Sequence, residues 1–173
     1  EVDGETLRRA NAIHPISLVE VRYSLADRHI EEDLLPTARE LGIGVVAFGV
    51  LLSGLIGGSS QKEKLEMISQ RISPEALENV KNNLARAEAL KEIANEKGVT
   101  LAQLAISWVL AQGEDILALV GSRTALQVED TMKALGIELT DKDLSRMSRI
   151  IPKEEANSSY MLDASINSKG LFH

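Results

Sequence analysis

The sequence predicts an α/β fold built on a parallel sheet. Residues 43–49 and 116–121 are near-continuous apolar runs of the kind that forms strands covered on both faces, and 19–25 is a β-rich run beside them. Each run is followed by apolar residues at three-four spacing, so strand, loop and helix repeat in order. With 173 residues, 44% hydrophobic and 26% charged, the chain can bury a core of real size.

The elements follow in order. Asp3 is placed to cap a helix over 4–12, and His14-Pro15 then reads as a stop before the first strand. A second helix is expected over 32–41, with Pro36 tolerated because it falls in the first turn and Gly42 ending it. The acidic run Glu31-Glu32-Asp33 suits the positive end of that helix. Ser73-Pro74 opens a long helix with Leu77, Val80, Leu84, Ala87, Lys91 and Ala94 along one face, closed by Gly98. Thr100 caps the next, whose Leu101, Leu104, Ala105 and Trp108 share a face. After the third strand comes a helical pattern of Leu126, Val128, Met132 and Leu135. Thr140 and Asp143 resemble a capping box for a last helix ending before Pro152, and a polar tail follows Lys153.

Three strands are few. A complete eight-stranded α/β barrel needs about 250 residues, and three strands alone leave two open edges, a route to self-association. The chain begins without an initiator Met, which fits a start inside something larger. Its first residues lack the basic-then-apolar pattern of a signal peptide, and no apolar run approaches a membrane span. The absence of cysteine excludes disulfides and thiolate metal sites and permits a reducing, cytoplasmic location. A net charge of −7, with aromatics at 3%, argues against nucleic-acid binding.

The residues with chemical promise are few. Gly121-Ser122-Arg123-Thr124 leaves a buried strand and enters a helix, where free N–H groups and the helix dipole favour a phosphate. A Gly-Ser turn that merely caps a helix is the plainer reading of the same residues. The glycine-rich stretch 49–58 follows a strand end but matches neither a Walker loop nor the Rossmann fingerprint. His14, His29 and His173 lack metal-ligand spacing and read as surface or loop residues, and Glu20 and Arg22 alternate along the first strand.

Taken together, Tyr23-Ser24-Leu25, the run from Leu34 to Phe48, Leu51, Gly54-Leu55, the run from Leu101 to Leu110, and Val120-Gly121-Ser122-Arg123 closely resemble the aldo-keto reductases. The likeness covers nearly the whole chain in the family's order; only 58–72 and the tail look individual. It implies the C-terminal half of a (β/α)8 TIM barrel over residues 1–152, with 153–173 as a polar tail. It also implies an oxidoreductase that, in the intact barrel, passes hydride from NADPH to aldehydes and ketones.

The resemblance assigns roles by position. Phe48 matches the aromatic residue that stacks on the nicotinamide. Gly49, Leu51, Ser53 and Gly54 match the loop beside the pyrophosphate. Gly121, Ser122 and Arg123 match the segment that holds the adenosine 2′-phosphate, and Gln127, Asp130 and Thr131 the helix positions nearest it and the adenine. Two positions depart from the family's pattern. Glu20 replaces the Gln that bonds the nicotinamide carboxamide, and a carboxylate accepts from that amide but cannot donate to its carbonyl. Gln127 replaces a frequent Arg, so NADPH is expected only narrowly ahead of NADH. The family's catalytic Asp, Tyr, Lys and His belong to the half of the barrel that this chain does not contain. Tyr23 and Tyr160 lack that catalytic context, so no catalytic residue is expected here. A nucleotide-binding or self-associating half-barrel without activity is the alternative, and a phosphate-binding half of an unrelated barrel is a third reading.

Overall fold

In the computed structural model, the described residues are 2–51 and 74–156. The first helix, α1 (Gly4–Ile13), is capped as expected, the Asp3 carboxylate accepting from Thr6 N–H at 2.8 Å. The strand β1 (Leu18–Arg22) stops short of the expected Leu25. Past Tyr23, Ser24 and Asp27 exchange backbone hydrogen bonds at 3.0 and 3.1 Å, a tight turn that takes the chain out of the sheet.

A 3-10 turn at His29–Glu32 follows, so α2 (Leu34–Leu41) starts two residues later than the sequence suggests. Glu31 is therefore no solvated first-turn acid. It is partly buried, accepts from Tyr23 Oη at 2.8 Å and from Arg28 Nε at 2.7 Å, and has Lys153 Nζ at 3.4 Å. Asp33 does serve a helix start, but that of α1, its carboxylate accepting from Gly4 N–H at 2.7 Å. Gly42 ends α2 as expected, its N–H donating back to the last turn.

After β2 (Gly44–Phe48), the chain is next described in α3 (Pro74–Lys97). Its buried face runs through Ala87, Leu90, Ile93 and Ala94, while Lys91 is exposed. The expected row held Ala87 and Ala94 but missed the leucine and isoleucine that anchor the helix; the side chains of Leu77, Val80 and Leu84 lie outside the described residues. The next helix, α4 (Leu101–Leu110), opens on a full capping box between Thr100 and Gln103 and is buried from Gln103 to Val109. A helix closed in all round is one that other helices cover, not a one-faced surface helix. The strand β3 (Ile116–Ala118) is half the expected length. After it come α5 (Ala125–Met132), a 3-10 turn at Lys133–Gly136, and α6 (Asp141–Ile150), which carries the Thr140–Asp143 capping box.

The three strands form one parallel sheet in the order β1-β2-β3, with Val19 opposite Val45 and Val45 opposite Ile116. These residues, with Val21 and Ala47, are buried in the same hydrophobic core as Leu34, Leu35, Leu90, Ile93, Leu104, Trp108 and Met147. Tyr23 and Trp108 meet inside it, ring centroids 5.6 Å apart.

The opposite face differs from expectation. By alternation it presents Leu18, Glu20, Val46, Phe48, Leu117 and Leu119, and Leu18, Leu117 and Leu119 are each at least half exposed. Among the described residues this inner face has no helical cover. The apolar pattern on α5 is likewise not core: Leu126, Val128, Met132 and Leu135 are exposed, and no residue of α5 is buried.

Candidate cofactor site

All three strands point their carboxyl ends the same way; of the described site residues expected from sequence, Phe48, Gly49, Gly121, Ser122 and Arg123 lie at or beyond that end, Glu20 lies on the inner face, and Gln127, Asp130 and Thr131 lie on α5. Glu20 sits in register with Val46 and Leu117, one pleat before Arg22 and Phe48, which pair directly. Glu20 is exposed on the open face. The Arg22 guanidinium lies over the Phe48 ring, 5.6 Å from its centroid, so it covers one face of the aromatic residue. The sequence marked Arg22 only as a charged neighbour; its stacking on Phe48 depends on the pairing of two strands and left no local sign.

Gly49 follows with φ of +73°, a conformation that turns the chain away from β2 and that a residue with a Cβ resists. Leu51 packs against the core and does not stand free in the loop. Ser53 and Gly54 lie outside the described residues.

The segment after β3 is open. Gly121, Ser122 and Arg123 are all exposed. A Cβ built on Gly121 would meet nothing within 4 Å, and its φ is not left-handed, so the chain's own packing does not demand glycine there. A glycine of that kind leaves room for something outside the chain. Arg123 N–H donates to Gln127 Oε1 at 2.7 Å, and Gln127 N–H donates to Thr124 Oγ1 at 3.2 Å, so the start of α5 is tied by its own side chains. Gln127 thus stands at the loop as expected, its oxygen engaged with the backbone of Arg123.

Asp130 and Thr131 are drawn another way. Asp130 accepts from Gln103 Nε2 at 2.7 Å through its carboxylate and at 3.0 Å through its carbonyl, which binds α5 to α4. Thr131 Oγ1 donates to Val128 O at 2.9 Å within its own helix. The structure brings Glu20, Phe48 and Gly49 together along β1 and β2, and gathers Gly121, Ser122, Arg123 and Gln127 around the loop after β3.

Tyr23, the residue after β1, faces the core. Burial first, then the Glu31 carboxylate, push its phenol well above the ordinary tyrosine range. A phenol held in this way is a structural donor, not a proton source at neutral pH. Burial pushes the Glu31 carboxyl up, but the bonds from Arg28 and Tyr23 outweigh it and hold the group below its usual range. His29 Nδ1 lies 2.6 Å from Asp27 Oδ1, the histidine largely outside and the aspartate buried. Among the described residues, no three His, Asp or Glu side chains converge as a metal site requires.

Comparison with known proteins extends this geometry. A model of the aldo/keto reductase family matches residues 1–152. A protein of Glycine max called probable aldo-keto reductase 1 is 38% identical over 157 residues, which is 88% of this chain and 44% of the relative. Among solved structures, the glycerol dehydrogenase AKR11B4 of Gluconobacter oxydans superposes with a TM-score of 0.72 at 25% identity, over 91% of this chain and 49% of that one. The thermostable aldo-keto reductase Tm1743, solved with the inhibitor epalrestat, shares the fold with a TM-score of 0.61 at 22% identity, over 87% of this chain and 46% of its own. The chain therefore spans about half the length of the relatives it matches. With a family model matching residues 1–152 and a relative 38% identical over 88% of its length, the chain belongs to the aldo/keto reductase family.

Proposed function

We propose that residues 1–152 are the C-terminal half of a (β/α)8 barrel oxidoreductase and carry part of its nicotinamide-cofactor site. One observation supports this most. The described candidates Phe48, Gly49, Gly121, Ser122 and Arg123 all lie at the carboxyl ends of parallel strands, the end at which barrel enzymes bind their ligands.

In this reading, Phe48 offers its ring face not covered by Arg22 to the nicotinamide, and Glu20 accepts from the carboxamide NH2. Gly49 and Leu51, with Ser53 and Gly54, line the pyrophosphate. Arg123 meets the 2′-phosphate at the open Gly121-Ser122 turn, where exposed cation and free space both suit an anion. Gln127 stands beside that phosphate, and Asp130 and Thr131 support the helix that carries it. NADPH is favoured over NADH on the strength of Arg123 alone. The bound cofactor supplies hydride to a small aldehyde or ketone in the intact barrel. Among the described residues none is assigned the proton transfer, and Tyr23 is locked to Glu31.

Titration of the purified chain with NADPH, followed through Trp108 fluorescence and cofactor emission, tests the proposal. Saturable binding that weakens in Arg123→Ala supports it. A chain that is folded by circular dichroism and binds neither NADPH nor NADH defeats the claim that this half holds the cofactor by itself.

A second reading, a half-barrel without activity that associates with itself, draws support from the open inner face of the sheet.

A further inference from the structure

We infer that Arg22 biases the cofactor site by redox state: its guanidinium, stacked on Phe48, favours the reduced nicotinamide over the oxidised one. The inference rests on the proposed seat of the nicotinamide on Phe48 and adds a residue to which the family resemblance gives no role.

The two forms of a nicotinamide cofactor differ in one place. The ring is neutral when reduced and positively charged when oxidised, and the rest of the dinucleotide is the same. A fixed cation near the ring therefore acts on the ratio of the two affinities and leaves their shared contacts alone. Arg22 is placed to be that cation. It pairs with Phe48 across β1 and β2, and its guanidinium lies 5.6 Å from the ring centroid. A guanidinium keeps its charge throughout the neutral range. With Arg22 over one face of Phe48, a nicotinamide stacked on the other face has the charge roughly 10 Å away. Arg22 is half-buried, so water screens that charge only in part.

Glu20 acts in the opposite sense, since a carboxylate favours the oxidised ring. It stands one pleat from Arg22 on the same face, opposite Val46, and is exposed. Its charge is therefore the more heavily screened of the two. Arg22 stands directly opposite Phe48 in the register. The consequence is directional. A site that holds the oxidised cofactor less tightly releases it more readily after each turnover, which suits the reduction of a carbonyl better than the oxidation of an alcohol.

The test compares the affinities of the purified chain for NADPH, by cofactor emission, and for NADP+, by calorimetry. The variants are Arg22→Gln, Arg22→Met and Arg22→Lys, each with unchanged circular dichroism, and either neutral variant alone suffices. Loss of the charge is expected to move the affinity ratio toward NADP+ by about threefold to tenfold, while Arg22→Lys keeps most of the wild-type ratio. The same shift is expected between NADH and NAD+, since the two cofactor pairs differ only on the adenosine. Glu20→Gln should move the ratio the other way. A ratio that stays put when the charge is removed overturns the inference and leaves the seat on Phe48 standing. An equal loss of affinity for both redox forms also overturns it, because Arg22 then only supports the ring. A folded wild type that binds no form of the cofactor defeats the site itself, and the inference falls with it.

Discussion

The hydroxyl of Tyr23 donates to Glu31 at 2.8 Å, joining the residue after β1 to the turn before α2. The same carboxylate receives Arg28, whose guanidinium lies 5.2 Å from the centre of the Trp108 ring. A phenol, a carboxylate, a guanidinium and an indole thus close the top of the core in one connected group, in which losing Glu31 would strand both Tyr23 and Arg28.

Replacing Tyr23 by Phe removes one charge-assisted hydrogen bond from that group and is expected to cost about 1.5–3 kcal/mol. Denaturant unfolding followed by Trp108 fluorescence measures it. In the wild type, absorbance titration should show one of the two tyrosines ionising only at extreme pH; a Tyr23 that titrates normally contradicts the buried bond.

Acid stability should carry the mark of Asp143. Its carboxylate meets Lys97 Nζ at 2.8 Å and also serves the Thr140 cap, and these bonds, Lys97 first, bring its pKa from 3.8 down to about 2. A depressed folded pKa means that the stabilisation is present above the unfolded value and lost as pH falls through the folded one. The melting temperatures of wild type and Asp143→Asn should therefore differ at neutral pH and converge between pH 3.8 and about 2. A constant gap across that window would show that the pairing does not titrate with Asp143.

Gln103→Ala should loosen α5. Gln103 is buried and donates twice to Asp130, so its loss unties the α4–α5 contact. The expected cost is about 1–3 kcal/mol, with faster hydrogen exchange at residues 125–136 and, because Gln103 Oε1 also accepts from Thr100 N–H, at the start of α4. Uniform acceleration across the chain would instead indicate that α5 does not open by itself.

Gly49→Ala tests the turn that follows Phe48. At φ of +73° a Cβ should cost about 1–2 kcal/mol. If Phe48 holds nicotinamide as proposed, the same variant should bind NADPH more weakly, because relief of the strain moves the ring. Unchanged stability and affinity together would mean that the loop accommodates the methyl group without moving.

What the sequence made legible was local. Asp3, Thr100 and Thr140 cap helices through atoms three residues away, so their roles are written in short spacing. The three strands were legible as apolar runs, although their ends were not, because Ser24 and Asp27 close a turn through backbone atoms that no side chain announces. Glu31 was misread because its partners Tyr23 and Lys153 come from other segments, and the bond from Gln103 to Asp130 left no local sign because it joins two helices. The open inner face was missed for a related reason: an apolar run says that a strand wants cover, not that the chain at hand supplies it. The proposed site positions rest on their order along the chain, which resemblance reads and periodicity does not.

The segment after α6 returns to the turn after β1. Arg28 N–H donates to Ala156 O at 3.0 Å, Lys153 approaches Glu31, and Arg86 pairs with Glu155. These contacts join parts of the chain that are far apart in sequence, and contacts of high separation form slowly because a long loop must close first. During synthesis, the Tyr23–Arg28–Glu31 group must wait for residues 153–156 to leave the ribosome before its last partners arrive. The top of the core is therefore completed late, and a nascent chain arrested at Pro152 would leave Arg28 and Glu31 with Tyr23 and Trp108 but without Lys153 and Ala156.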